Sequence, residues 1–317
     1  MQLGKRDLPK PIGKGLAFGT FGELLQGVGT DNQDFLVTLP INRYSTALFL
    51  SVPYQSTLTV SPSQKCKAER LATLILQHYD LPIGGILELE STIPVGKGLA
   101  SSSADLVATA RAIDNCFGLH MSVEQMQFFL RQVEPTDGVM YEGIVAFYHR
   151  NVALCRPLGH LPELVIVSLD EGGEVDTVEF NKQPKLFAHK EKEEYDQLLE
   201  KVAYAISEQD LHAVGEVAQR SAILNQRLHR KHYLEQVIDI CQKVKGLGVI
   251  VAHSGPCLGI LLSPDNAQYH YQLHFTFGAL RQLVGNATLF HSWYPTAQTD
   301  QQAIMTKMVL QGSQLHL

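Results

Sequence analysis

Charge is scarce in this 317-residue chain, and the positive sign is the scarcer of the two. Charged residues make up 18% of the sequence, against about a quarter in ordinary globular domains, while 45% is hydrophobic. That balance excludes a disordered or highly charged protein. The 26 Lys and Arg are outnumbered by 32 Asp and Glu, for a net charge of −6, so neither nucleic acid nor an anionic membrane is an expected partner. No apolar run approaches the roughly 18 residues needed to span a bilayer. The opening Met-Gln-Leu-Gly-Lys-Arg-Asp, with Pro9 and Pro11 behind it, offers no signal-peptide apolar segment. Cysteine is equally sparing: Cys66, Cys116, Cys155, Cys241 and Cys257 are odd in number, widely spaced and without a Cys-x-x-Cys pair. Neither a zinc ribbon nor a disulfide framework fits that pattern, and mostly buried free thiols in a reducing cytoplasm are expected. There is no internal repeat. At about 150 residues per domain, a soluble protein of two domains or one large one is predicted.

What is present falls into two successive cycles of strands and helices. Residues 35–41 and 44–52 are rich in branched and aromatic side chains and read as strands, with shorter ones at 57–60 and 86–90 and a helical pattern over 66–79. From Ser101 the period changes. Leu106, Val107, Ala110, Ile113 and Phe117 share one helix face, and Gly118 is a suitable stop. Ser122 and Gln125 predict a capping box for a second helix with the stripe Met126, Phe129, Leu130 and Val133, ended by Pro135. The second half opens on a buried strand at 164–169. Helical patterns follow over 191–206, 210–222 and 231–245, then strands at 248–252 and 258–262, a helix over about 265–283 and a strand at 287–293. The fold class this predicts is α+β, with a boundary near Pro157–Pro162.

The segment most informative about chemistry is Ile93-Pro-Val-Gly-Lys-Gly-Leu-Ala-Ser-Ser-Ser-Ala-Asp105. Two glycines and three serines lie between a strand and a long amphipathic helix. The first N–H groups of that helix are unpaired at the positive end of its dipole, glycine lets a phosphate approach the backbone, and hydroxyls can complete the shell or bind a magnesium ion. It is not a Walker A loop, because Gly96-Lys97 is followed by Gly98, and the G-x-G-x-x-G spacing of a dinucleotide site fails. A flexible turn with a serine N-cap would also produce such a string.

Pro94 to Ala104 resembles the second motif of the GHMP kinases (galacto-, homoserine, mevalonate and phosphomevalonate kinases), P-x-x-x-G-L-x-S-S-A, with one extra serine before the alanine. Their first motif ends in Gly-Glu-His; here Gly22-Glu23-Leu24 keeps the glutamate and lacks the histidine. Ala252-His-Ser-Gly-Pro-Cys-Leu-Gly259 stands where the family has its late glycine-rich loop. Gly-Glu-Leu-Leu-Gln-Gly27, Glu134-Pro-Thr-Asp-Gly138 and Asp170-Glu-Gly-Gly-Glu-Val-Asp176 narrow the resemblance to the L-threonine kinase branch.

The resemblance implies the two-domain GHMP kinase fold. Residues 1–158 would form an N-terminal domain of ribosomal S5 domain 2-like type and residues 159–317 a ferredoxin-like C-terminal domain. It implies ATP and Mg2+ as cofactors, and phosphorylation of L-threonine to O-phospho-L-threonine for the aminopropanol linker of cobalamin. Another small alcohol, of homoserine or mevalonate type, and a non-catalytic nucleotide-binding regulator remain open as alternatives. By the same resemblance Pro94, Val95, Gly96, Lys97, Gly98, Leu99, Ala100, Ser101, Ser102, Ser103 and Ala104 hold the nucleotide phosphates. Ser102 and Glu134 hold the metal, and Asp137 is the base. Asp137-Gly138 could equally be a plain turn. A zwitterionic acceptor needs a carboxylate for its ammonium group, for which Glu23 is the candidate. Arg43 and the backbone near Ser254-Gly255 are options for its own carboxylate. His229-x-x-His232 has helical spacing but no third ligand, and reads as a solvated helix face.

Overall fold

The computed structural model describes residues 12–173 and 187–295. Their centre is a pairing that the sequence pattern does not announce. β1 (Ile12–Val28) runs antiparallel to β2 (Asp34–Ser51), and both are long. β2 covers both sequence runs expected as separate strands. Asn42 and Arg43 fall out of the ladder between the pairs Phe18–Tyr44 and Gly19–Ile41, and that bulge is the break seen in the sequence. β1 carries five glycines in 17 residues, which hides it from a reading by β-branched composition.

Two of the glycines, Gly13 and Gly15, are there because a helix lies against the strand. α2 (Ser101–Phe117) is pressed on β1 so closely that a Cβ on Gly15 would stand 1.9 Å from the Ala108 carbonyl oxygen, and one on Gly13 2.0 Å from that of Ala112. Backbone against backbone leaves no side chain to move aside. Gly15→Ala is therefore expected to destabilise by about 3 kcal/mol, the upper end for overpacking. Thermal unfolding should show a midpoint lower by about 5 °C or more. A midpoint within one degree of the parent would mean that α2 can move off the strand.

The rest of the sheet grows outward from this pair. β4 (Gly85–Ser91) joins the other side of β2 and is parallel to β3 (Leu58–Ser61), the two connected through α1 (Cys66–His78). β5 (Ile144–Tyr148) pairs with β2 and with β6 (Ala153–Gly159), a hairpin missing from the sequence reading. In the second half β7 (Val165–Asp170) lies between β9 (Cys257–Leu262) and β10 (Thr288–His291), and β8 (Gly248–Val251) borders β9. A single register pair, Glu23–Val251, carries the sheet from β8 into β1, giving the order β10-β7-β9-β8-β1-β2-β4-β3. α4 (His189–Ser207) and α5 (Leu211–Asn225) pack toward β1, and α6 (Leu234–Val244) and α7 (Tyr269–Val284) cover β7 to β9. The expected helices and strands of this half all appear within about four residues of their predicted bounds; the pattern at 231–245 begins at Leu234 and the helix expected from about 265 begins at Tyr269.

α2 is buried on nearly every side, twelve of its 17 residues, so its expected single stripe understates it. Gly118 ends it at φ 58°, as expected. The capping box of α3 (Val123–Leu130) is present, Ser122 and Gln125 exchanging bonds of 3.3 and 2.8 Å. This helix stops at Leu130, however, and turns carry the chain to Pro135. His229 lies in a bend rather than on a helix, half-buried, and burial with Lys231 nearby pulls its imidazole down to about 4. All five cysteines are free, with Cys66 exposed. No helix among the described residues is long and apolar enough to cross a membrane.

Candidate active site

The chain leaves β4 and reaches α2 through three left-handed residues in five: Gly96 at φ 72°, Gly98 at φ 71° and Ala100 at φ 59°. Ala100 is the residue at the helix N-cap, and no side chain caps the first turn. The serines are thus not spent on capping, and the open amides of the first turn remain available to an anion. The Thr20 N–H bonds the Leu99 carbonyl at 3.1 Å and ties the loop to β1.

Below the loop lies a cavity of about 500 Å³. Its walls include Val95, Gly96 and Gly98 to Ser103 from the loop and helix, Glu134 to Asp137, Glu23 of β1, and His253 and Ser254 of the β8–β9 loop. Pro94 and Ala104 do not reach it. Lys97 turns away: its ammonium meets Asp170 at 2.7 Å and the Gly173 carbonyl at 3.0 Å. Of the string 170–176, Asp170 to Gly173 are described and the remainder lies outside the described residues, as does the tail after Pro295. Arg43 lies over the Phe290 ring, 5.7 Å from its centroid, outside the cavity walls.

Two consecutive serines each take one carboxylate. The Ser102 hydroxyl donates to Glu134 Oε1, and the other oxygen of Glu134 takes the Lys67 ammonium at 2.5 Å. The Ser103 hydroxyl donates to Asp137 Oδ2 at 3.1 Å and accepts the Asp137 N–H at 3.1 Å, so this side chain is held from two directions. Burial pushes the Asp137 carboxyl up to about 6 against the Ser103 hydrogen bond, and the like charge of Glu134 adds to the rise. A carboxylate in that range is mostly ionised at neutral pH yet basic enough to take a proton from an alcohol in a transition state.

Hydroxyl, carboxylate and phosphate oxygens are the hard ligands magnesium prefers, commonly with one or two protein carboxylates and substrate phosphates completing the shell. Ser102 and Glu134 fit that role. No group of three or more His, Cys, Asp or Glu among the described residues suits a metal held by protein alone.

The sequence gives no local sign of several further residues. Asp105, 4% exposed, takes the Ser45 hydroxyl and the Lys65 ammonium, both at 2.5 Å, and so brings Lys65 to the cavity lip. Lys67 arrives from the start of α1. His149 and His253 are buried cavity residues with ring centroids 5.1 Å apart, and His253 Nδ1 lies 2.6 Å from Gln26 Oε1. Glu23 is 2% exposed and reaches the cavity from the register position where β1 meets β8. Lys65, Lys67 and His149 come from segments that carry no motif, whereas Glu23 and His253 lie in the first and third motif strings and Asp105 closes the loop segment.

Comparison with known proteins bears on the family of the chain. Residues 67–148 match the family described as GHMP kinases N terminal domain. The chain is 29% identical over 258 residues to an L-threonine kinase of Citrobacter freundii, covering 79% of this chain and 86% of that protein. It is 30% identical over 250 residues to an L-threonine kinase of Salmonella typhimurium, covering 76% and 80%. Among solved structures, a homoserine kinase from Cytophaga hutchinsonii superposes with a TM-score of 0.68 over 92% of this chain and 97% of its own, at 16% identity. The chain belongs to the GHMP kinases, with their two-domain α+β fold, a family that phosphorylates small-molecule alcohols.

Proposed function

We propose that this protein is an ATP- and Mg2+-dependent kinase that phosphorylates the hydroxyl of L-threonine, giving O-phospho-L-threonine for the aminopropanol linker of cobalamin. The observation that carries the reading is the pair of carboxylates, Glu134 and Asp137, bonded to consecutive serines at the open N-terminus of α2. The likeness to two L-threonine kinases over three quarters of the chain supports the acceptor. Within residues 94–104, Val95, Gly96 and Gly98 to Ser103 line the cavity and would cradle the nucleotide phosphates with backbone amides, and Ser102 and Glu134 would hold the metal. The metal, when bound, neutralises charge on the phosphates. Asp137 accepts the threonine hydroxyl proton as the new O–P bond forms and the bond to the ADP oxygen breaks. Glu23, buried at the cavity wall, would take the threonine ammonium group. The site lies where residues 1–158, the proposed N-terminal domain, meet residues 159–317, and the setting is proposed to be the cytoplasm.

Mass spectrometry of the products from ATP, Mg2+ and L-threonine tests this directly. Phosphothreonine should appear, with turnover at least tenfold above that with homoserine or mevalonate. A tenfold preference for either rival would move the protein to another branch of the family. Tight ATP binding without any phosphorylated product would mark a regulator.

A further inference from the structure

Lys231 is the one lysine or arginine among the described residues whose whole side chain is removed from water, at 1% exposure. It precedes α6 and belongs to none of the family motifs. Burying an ammonium costs several kcal/mol before its interactions are counted, so what it touches bears on why it is there. The Lys231 ammonium donates to the carbonyl of Gly255. Its own backbone is clasped on both sides by one side chain: its N–H donates to Gln226 Oε1 at 2.6 Å, and its carbonyl accepts from Gln226 Nε2 at 3.0 Å. Burial draws its ammonium down to about 8, against the opposing charge of Glu171, so it stays largely cationic at neutral pH.

Gly255 is where the β8–β9 loop touches the loop before α2. A Cβ there would stand 1.9 Å from the Lys97 carbonyl oxygen and 2.4 Å from the Gly98 nitrogen. The neighbouring Ser254 faces the cavity. The far end of the same loop is also fixed, because the Glu171 N–H donates to the Pro256 carbonyl at 3.3 Å while the Glu171 carboxylate accepts from the Tyr233 N–H at 2.8 Å. A continuous line of contacts therefore runs from Gln226 through the ammonium and Gly255 to the left-handed Gly98.

We propose that Lys231 is a positioning residue for the nucleotide site: its ammonium holds the Gly255 carbonyl and keeps residues 252–257 packed against Lys97 and Gly98. This rests on the reading of residues 94–104 as the phosphate cradle. The cradle works only while its left-handed residues aim their amides at one point, and a rigid backing loop preserves that aim at no conformational cost on binding.

Lys231→Met keeps length and burial and removes the donor. The change ends the cost of burying an ammonium but leaves the Gly255 carbonyl without its donor, so the two effects oppose and the midpoint of thermal unfolding should move by less than about 4 °C. Amide hydrogen exchange of residues 96–101 and 253–257 should rise about tenfold, the scale of a lost hydrogen bond from a charged donor. The KM for ATP should rise about fivefold or more with the KM for threonine within about twofold. Unchanged exchange in both loops, or a rise spread over the whole molecule, overturns the proposal. Should the Met variant fail to fold, Gln226→Ala decides by the same exchange measurement, since it frees the Lys231 backbone and leaves the ammonium; no acceleration confined to these loops would then reject the idea. The exchange readout needs no substrate. A parent protein that neither binds ATP nor makes phosphothreonine sinks the functional reading alone.

Discussion

Asp137→Asn is expected to lower the turnover number by about 100- to 10,000-fold, or roughly 3–5 kcal/mol of barrier, the usual worth of general-base assistance. The substitution keeps the size of the side chain and an oxygen to accept from Ser103, and removes the charge and the proton affinity. Because the loop at 94–104 is untouched, the Michaelis constants for ATP and threonine should stay within a few fold of the parent. The parent should lose activity as pH falls through about 6, where burial has raised the Asp137 carboxyl, and the variant should lack that limb. The sign for stability is opposite. A carboxyl at about 6 in the folded protein and 3.8 otherwise binds its proton more tightly when folded. Its protonated form therefore favours folding at low pH, and that advantage is lost as pH rises through about 6. At pH 7.5 the Asn variant, free of the buried charge, should unfold about 2–4 °C higher, as about 1 kcal/mol would give. A loss of turnover below about fivefold would mean that positioning and charge neutralisation carry the reaction and that Asp137 is no base.

Glu134→Gln is expected to cost about 100-fold in turnover and to raise the magnesium concentration needed for half activity about tenfold, since a hard anionic ligand becomes neutral. Ser102→Ala should follow in the same direction with a loss of at least about tenfold. The two should not add, because each removes one end of the same Ser102–Glu134 contact. Lys67 is a built-in comparison. It is 46% exposed and holds the other Glu134 oxygen, so a Lys67→Ala variant releases a competitor for the metal without removing a ligand. A magnesium titration that is superimposable for the parent and Glu134→Gln would remove Glu134 from the metal site.

Much of the fold is legible because its signals are local. The capping box at Ser122, the stop at Gly118 and the buried run before Asp170 each depend on residues within a turn or two. β1 is not legible, since its glycines answer to close neighbours far off in sequence, α2 for Gly13 and Gly15, Val251 for Gly22 and Tyr195 for Gly27, rather than to strand propensity. The early stop of α3 at Leu130 has the same origin: turns carry the chain to Glu134 and Asp137, which meet the serines of α2.

At the site itself the division is sharper. The sequence alone determined the loop, its glycines and its hydroxyls, because a left-handed backbone and an open helix start are set by the residues that form them. Only the tertiary structure decided which serine holds which carboxylate, that Lys97 leaves the cavity for Asp170, and that the ammonium of Lys231, a lysine outside every motif, meets the Gly255 carbonyl. Those contacts join positions 24 to about 70 residues apart in the chain, and the packing of β1 on α2 and of β8 on β1 brings them within reach. Residue type fixes what a side chain can donate or accept, and the burial and approach imposed by the whole fold fix what it meets.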